Sequence, residues 1–301
     1  MLLAPRTWLL LAPLPAIALG AAVANTLSVP ARVFAPNLLA VLVGGAIALT
    51  LPRAGAGPRA RVLQWLPGLA FLALLATLLS PGSEHVHRWI SFGPVRLHAS
   101  AAFLPWILGG LMSSSARARA FGLALALGAQ LIHLAQPDAA QATALALGLL
   151  PLLANGTLVR RGTGLALAGV FLLLAAASWT RADPLLAVDH VERVLVLASS
   201  RGALWILAAG VAGGLLFLPL LLALGRPSTA PAGWGLGFTL YFATTLGVTF
   251  LGNFPVPVMG AGAGPVLGWY AMVAMLFAGL PTPDSLKTSG DPAPRRQSLP
   301  T

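Results

Sequence analysis

Residues 203–224 read ALWILAAGVAGGLLFLPLLLAL, without a single charged side chain. A helix needs about 20 mainly apolar residues to cross the hydrocarbon core of a membrane, and this stretch reaches that length. The whole chain has the same character: 301 residues, 57% of them hydrophobic and 8% charged, with a mean hydropathy of +0.86. Charged side chains are therefore too scarce to cover a soluble globule. We predict an integral membrane protein without a separate soluble domain.

Clusters of Pro, Gly and Arg divide the chain into apolar stretches of similar length. These stretches cover residues 7–27, 37–51, 62–79, 100–112, 119–134, 140–154, 162–178, 203–224, 233–251 and 265–280. Several are shorter than an ideal span, so one could be re-entrant or two neighbours could be wrongly divided. The predicted fold class is all-α, a polytopic transmembrane helix bundle of about ten spans. The membrane domain covers residues 1–280, and the tail 281–301, rich in Pro, Ser and charge, is predicted to be disordered.

The basic residues predict how the bundle is oriented. If the amino terminus is cytoplasmic, twelve of the 18 Lys and Arg residues fall on the inner side, as the positive-inside rule requires. Both termini are then cytoplasmic, and the two long loops, 80–99 and 179–202, lie outside with all five histidines. Alternatively, residues 7–24 could be a signal peptide ending in the small residues Ala22, Val23 and Ala24. Its cleavage would leave nine spans and undo the charge bias.

Charge and cysteine content exclude several kinds of function. The net charge of +11 is spread between apolar runs, which suits anionic lipid head groups and argues against nucleic acid as a partner. The chain has no cysteine, so disulfides, thiolate nucleophiles and cysteine metal sites are all excluded.

The two outer loops carry local structural signals. In the first, Gly93-Pro94 marks a turn, and Val95-Arg96-Leu97-His98 alternates between apolar and polar residues. The second contains Asp183-Pro184, which is typical of a helix cap followed by the first helical position. From there, apolar residues recur at helical spacing to Leu195, with Asp189, Glu192 and Arg193 on the opposite face. We predict an amphipathic helix on the outer membrane surface.

Four outer motifs add a family resemblance. They are HRWISFGPVRLHAS at residues 87–100, Gln136-Pro137-Asp138, His190-Val191-Glu192 and Pro255-Val256-Pro257. In their order along the chain and their position on the outer side, they resemble four motifs of the SEDS family (shape, elongation, division and sporulation). In that family the motifs are R-W-I followed by G-P and Q-P-S-E, then Q-P-D, H-T-D and P-L-P. The resemblance covers roughly residues 60–280. The glutamate and lysine of the family's first motif fall on Ala101 and Leu104, so the chain is identified as a divergent member.

The resemblance implies a peptidoglycan glycosyltransferase that polymerises lipid II, an undecaprenyl-pyrophosphate-linked substrate, in cell division or cell-shape control. It also implies a multi-pass protein of the bacterial cytoplasmic membrane and a class B penicillin-binding transpeptidase as partner. Glu192 matches the family's aspartate and is the candidate base, with Asp189 one turn earlier as its backup. The candidate substrate-binding residues are Arg88, Trp89, Arg96, Ser100, Asp138, His190, Arg193, Arg201, Pro255 and Pro257. A divalent cation could assist at the pyrophosphate, but the sequence contains no recognisable set of metal ligands.

Most candidates also have a simpler interpretation, and Arg88 and Arg96 could simply contact anionic lipid. Asp189, Glu192 and Arg193 fit the solvated face of an interfacial helix, and Trp89 fits a head-group anchor. Gln136-Pro137-Asp138 favours capping of the next span, while Pro255 and Pro257 favour a re-entrant turn. His85, His87 and His98 do not have the spacing of a known metal site.

Two other functions stay open at this stage. One is a non-catalytic lipid II-binding or scaffold protein of the same fold, favoured by Ala101 and Leu104. The other is an unrelated transporter or channel, although a coupled transporter would need ionisable residues inside the spans. By the boundaries above, only His133 comes close to this requirement.

Overall fold

The computed structural model describes residues 7–93, 95–113, 115–224 and 233–279. Within them, the helices are α1 (Pro13–Asn25), α2 (Ala35–Thr50), α3 (Ala56–Thr77), α4 (Ala99–Gly110), α5 (Ala116–Ala135), α6 (Ala139–Ala154), α7 (Arg161–Trp179), α8 (Asp189–Glu192), α9 (Val194–Ser200), α10 (Ala203–Leu224), α11 (Trp234–Gly247) and α12 (Ala263–Ala278). Two strands, β1 (Trp89–Phe92) and β2 (Val95–His98), form an antiparallel hairpin. The predicted tail, 281–301, lies outside the described residues.

The prediction of a polytopic helix bundle is confirmed, because every predicted apolar stretch coincides with a helix. In the described part of the chain, six helices are long and apolar enough to cross a membrane: Trp8–Asn25, Ala31–Arg53, Gly57–Thr77, Ala116–Ala135, Arg161–Trp179 and Ala203–Leu224. The shorter apolar helices are α4, α6 and α12, and α11 completes the set. The remaining described helices, α8 and α9, lie in the second outer loop.

The short helices form the centre of the bundle. Helix α12 packs between α2 and α4, and α6 packs between α7 and α11. Trp269 and Tyr270 of α12 are fully buried. On the outer helices, by contrast, Leu42, Leu173 and Leu204 are exposed. A membrane helix can expose leucine in this way because lipid tails are as apolar as the side chain itself.

Close helix contacts depend on glycine. A Cβ added to Gly164 of α7 would lie 2.0 Å from the carbonyl oxygen of Leu153 in α6. A Cβ on Gly268 of α12 would lie 1.9 Å from the carbonyl oxygen of Ala101 in α4. Small residues let helix backbones approach closely, which is a main source of packing energy between helices in a membrane.

The predicted amphipathic helix after Asp183 is wrong in its extent. Residues 183–188 are not helical, and α8 begins only at Asp189. The helix is then interrupted at Arg193, before α9 begins. The Asp183 carboxylate accepts a hydrogen bond from the Leu185 amide at 3.4 Å and one from Arg88 at 2.7 Å. A side chain engaged in these contacts holds a local turn instead of capping a helix.

The assignment of all five histidines to outer loops is also wrong. His133 lies in the last turn of α5 and is completely buried. Its Nε2 is 3.1 Å from the Ser100 hydroxyl, whereas its Nδ1 is buried without a hydrogen-bond partner among the described residues. The predicted stretch 119–134 already contains His133, but the residue lies so near its end that the prediction counts it with the following loop, whereas α5 continues to Ala135.

We expect Gly164→Ala to lower the stability of the protein in detergent by about 1–3 kcal/mol, the usual cost of overpacking. The new methyl group would collide with the α6 backbone. Gly169→Ala, on the same helix with nothing within 4 Å of the new Cβ, is the matched control and should leave the unfolding temperature unchanged or slightly higher. Thermal unfolding followed by tryptophan fluorescence measures both. Equal effects of the two substitutions would contradict the packing assigned to Gly164.

Candidate active site

Among the described residues, two cavities lie where the hairpin, the α5–α6 turn, residues 181–192 and residues 251–262 meet. The larger has a volume of about 160 Å³, and Arg88, Trp89, Arg96, Glu192 and Pro255 are among its lining residues. Five residues singled out from sequence therefore share one cavity. The smaller cavity, of about 30 Å³, is lined by Asp138, Pro255 and Pro257 among others.

Arg88 is the buried charge at the centre of this region, with 2% of its surface exposed. Its Nη2 donates to the Asp183 carboxylate at 2.7 Å and to the Pro137 carbonyl. The guanidinium carbon lies 5.8 Å from the centre of the Phe254 ring. The Nε has no hydrogen-bond partner among the described residues. Arg88 thus lines the larger cavity and has one buried donor without a partner.

The hairpin supplies the remaining basic and aromatic groups. Trp89 pairs with His98 across the two strands, and their rings meet edge to face at 6.0 Å. Arg96 donates to the Ser83 hydroxyl at 3.1 Å and is exposed at the cavity rim. The turn predicted at Gly93 is confirmed, since that residue has φ = 59°, a conformation that glycine adopts without strain.

Glu192, the last residue of α8, is half-buried in the wall of the larger cavity. Burial raises the pKa of its carboxyl to about 7, although hydrogen bonds and Arg88 act in the opposite direction. Its Oε2 accepts a hydrogen bond from the Val188 amide at 2.7 Å. A carboxyl with a pKa near neutrality can both accept and release a proton at physiological pH, as a general base must.

The segment that contains Pro255 and Pro257 fixes α8 in place. The amide of Val256 donates to the carbonyl of Val191 at 2.9 Å, and the amide of Ala261 donates to that of His190 at 2.9 Å. Both acceptors immediately precede Glu192. The chain is not helical at the two prolines, and this segment holds the backbone immediately before Glu192. That the turn is re-entrant in the membrane stays a prediction.

Asn37 of α2 holds the far end of the same segment. Its fully buried amide donates to the carbonyls of Gly260 at 2.9 Å and Val258 at 3.3 Å, and accepts from the amide of Gly262 at 2.8 Å. One side chain thus satisfies three backbone groups of a non-helical segment inside the bundle.

Asp138 caps α6, as its motif predicts, by accepting a hydrogen bond from the Gln141 amide at 3.2 Å. Its other oxygen lies 3.6 Å from the His98 Nε2. Burial alone would raise the pKa of Asp138, but His98 and Arg88 outweigh it and hold that pKa below its usual value. Gln141 in turn accepts a hydrogen bond from the Tyr241 hydroxyl at 2.8 Å. The smaller cavity therefore has one polar wall.

Several predicted site residues lie elsewhere. Asp189 and Arg193 are exposed and face each other at 3.9 Å, outside both cavities. His190 is half-buried, and the structure gives a role only to its backbone carbonyl. Arg201 contacts the Thr26 carbonyl at 3.4 Å on the surface, while Ser100 is fully buried against His133.

Sequence reasoning missed three contributors. The first is His98. The alternation at residues 95–98 puts its side chain on the same face of a strand as that of Arg96, and this pattern would have predicted that both belong to the site. The sequence pattern at Asp183 predicts only a helix cap, although a buried arginine requires a counter-charge nearby. Nothing in the sequence indicates the role of Asn37, except that it is a single amide side chain in an apolar stretch. Among the described residues, no group of three or more His, Cys, Asp or Glu side chains could hold a metal ion.

Comparison with known proteins yields matches in structure only. The chain is similar to the crystal structure of the rod shape determining protein RodA of Thermus thermophilus, with 18% identity, a TM-score of 0.61 and coverage of 90% of this chain and 94% of that one. The chain has the RodA fold. A point mutant of RodA matches with a TM-score of 0.62, at the same identity and with 95% of its chain covered.

A chain of a peptidoglycan synthase complex, described as coordinating polymerization and crosslinking, matches with 18% identity and a TM-score of 0.61, over 90% of this chain and 96% of that one. No family model and no curated protein matches the sequence. At 18% identity, these matches establish the fold that the SEDS resemblance implied, a RodA-like bundle along nearly the whole chain.

We expect Asn37→Ala to destabilise the protein by about 2 kcal/mol or more, because each buried polar group left unsatisfied costs roughly 1–3 kcal/mol. Asn37→Asp should not rescue it, since a carboxylate cannot donate to the carbonyls of Val258 and Gly260. Asn25→Ala removes an exposed amide and is the control. The unfolding temperature in detergent measures the effect, and an unchanged value for Asn37→Ala would refute the assigned role.

Proposed function

We propose that this protein is a SEDS-type peptidoglycan glycosyltransferase that polymerises lipid II on the outer face of the bacterial cytoplasmic membrane. One observation carries the proposal: a carboxyl with a pKa near 7, Glu192, shares a cavity with the two guanidinium groups of Arg88 and Arg96. The RodA fold supports it, because RodA is described as a rod shape determining protein.

The chemistry requires these three groups in different roles. Glu192 accepts the proton of a sugar hydroxyl as its oxygen bonds to the anomeric carbon of the donor sugar. The bond from that carbon to the pyrophosphate breaks at the same centre, and negative charge develops on the leaving group. Arg88 and Arg96 stabilise this charge, because a guanidinium can hold phosphate oxygens through two parallel hydrogen bonds.

The membrane orientation follows from the arginine distribution. With the amino terminus in the cytoplasm, three spans precede the hairpin and seven precede residues 181–192. Both numbers are odd, so both segments lie on the outer face, where lipid II is polymerised. A transpeptidase of the class B penicillin-binding type is the proposed partner, supported by the similarity to a chain of a peptidoglycan synthase complex. A divalent cation at the pyrophosphate stays a prediction.

A second candidate is a non-catalytic lipid II-binding protein of the same fold. Two positions that carry charge in the family are apolar here: Ala101, which lines the smaller cavity, and Leu104, which is fully buried. Such a protein would bind lipid II through Arg88 without turnover. A transporter has less support, because buried His133 lines neither cavity and is bonded to Ser100.

Glycan polymerisation by the purified protein with lipid II, with and without a candidate transpeptidase, tests the proposal. We expect Glu192→Gln to lower the rate by about 10²–10⁴-fold, the usual contribution of a general base. Glu84→Gln removes an exposed carboxylate from the first outer loop and is the matched control. Loss of activity in Asp189→Asn instead would identify Asp189 as the base. If lipid II binds saturably but no condition yields polymer, the result would favour the non-catalytic candidate.

The pH profile gives an independent test. The base is active only when ionised, so the rate should rise with pH and reach half its maximum at about pH 7. Below that pH, Glu192 is protonated and cannot accept the hydroxyl proton. The residual activity of Glu192→Gln should not show this rise in rate around pH 7. A parental profile that is flat between pH 5 and pH 8 would rule out Glu192 as the base.

A further inference from the structure

Residues 183–188, which we call the strap, form part of the wall of the larger cavity. They connect α7 to α8 without helical structure. Leu185, Leu186 and Val188 line the cavity, yet Leu186 is 88% exposed. A leucine at the edge of a polar cavity with most of its surface uncovered makes few packing contacts, so apolar burial contributes little to holding the strap down.

The strap is held instead by polar contacts at both ends. Asp183 forms an ion pair with Arg88 at 2.7 Å, and the Val188 amide donates to Glu192 at 2.7 Å. Between them, the Leu185 carbonyl accepts a hydrogen bond from the exposed Asn253 side chain at 3.3 Å. The strap thus contacts the two side chains, Arg88 and Glu192, that the proposed reaction needs.

The two partners of the ion pair differ in burial. The Arg88 side chain is 3% exposed and that of Asp183 is 23% exposed. A buried guanidinium without a counter-charge is costly, so Arg88 must always face an anion. Asp183 can regain water by a small movement outward, whereas Arg88 cannot. A carboxylate and a phosphate both fit the forked donors of a guanidinium, so one can replace the other.

We propose that Asp183 is an internal stand-in for the substrate phosphate and thereby sets the affinity for it. The pyrophosphate of the lipid-linked substrate displaces the Asp183 carboxylate from Arg88, and the strap moves off the cavity. This is an exchange of anions at one guanidinium, with no covalent bond formed or broken. The inference rests on the proposed function, because it takes Arg88 as a ligand of the pyrophosphate.

The test is the binding of lipid II to the full-length protein in detergent. Asp183→Asn removes the competing charge and keeps the shape of the side chain. We expect it to lower the Kd by about three- to tenfold, the size expected for one competing, partly exposed ion pair. A merely structural role of Asp183 would weaken binding instead.

Two controls separate competition from general electrostatics. Glu84→Gln makes the same charge change in the neighbouring loop and should leave the Kd unchanged. Asp183→Glu keeps the carboxylate and should stay close to the parent. A folded Asp183→Asn variant that binds lipid II as well as the parent or less well would overturn the inference. In that case, binding by the parent would leave the proposed function standing.

Failure of the parent and of Asp183→Asn to bind lipid II would overturn the proposed function and this inference together. If Asp183→Asn does not fold, hydrogen exchange in the parent decides. The Val188 amide should exchange faster in saturating lipid II than without it, because the strap leaves Glu192. Unchanged or slower exchange would contradict the displacement.

Discussion

Hydrogen bonding inside an apolar bundle is the constraint on which the site depends. A membrane-embedded chain must satisfy its backbone polar groups internally, and helices do so automatically. Residues 253–262 are not helical, so other groups must supply their partners. Asn37 supplies three of these partners, and the carbonyls of His190 and Val191 accept two amides from the segment. Because those carbonyls precede Glu192, satisfying the segment also positions the carboxylate.

A second constraint is the burial of positive charge. Arg88 brings together parts of the chain that are far apart in sequence, since Pro137, Asp183 and Phe254 all contact its guanidinium. Asp138 lies within electrostatic reach, and Arg88 helps to keep it ionised. The hairpin, the α5–α6 turn, the strap and the proline segment therefore share one electrostatic centre. Hydrophobic packing assembles the helices, whereas this arginine sets the arrangement of the loops above them.

The sequence was enough to predict the helices but not the loop geometry. Apolar stretches separated by Pro, Gly and Arg give every long helix, since length and hydropathy decide membrane insertion locally. The Gly93 turn and the Asp138 cap also follow from local chemistry. The region after Asp183 does not, because its cap signal competes with Arg88, a residue 95 positions away. Long-range pairing of this kind, like the contacts of Asn37, leaves no periodic trace in one sequence.

The short helices at the centre have a consequence for where a lipid substrate would meet the protein. Helix α4 has 12 residues and is therefore only about 18 Å long, against a hydrocarbon core of about 30 Å. His98, which lines both cavities, stands at its amino-terminal end. We therefore expect the deepest part of the site to lie below the plane of the lipid head groups, in a depression of the protein's outer surface. For the polyprenyl-linked substrate proposed above, the lipid chain would then stay in the leaflet while its head group enters the protein from the side, and the lipid would not have to leave the bilayer.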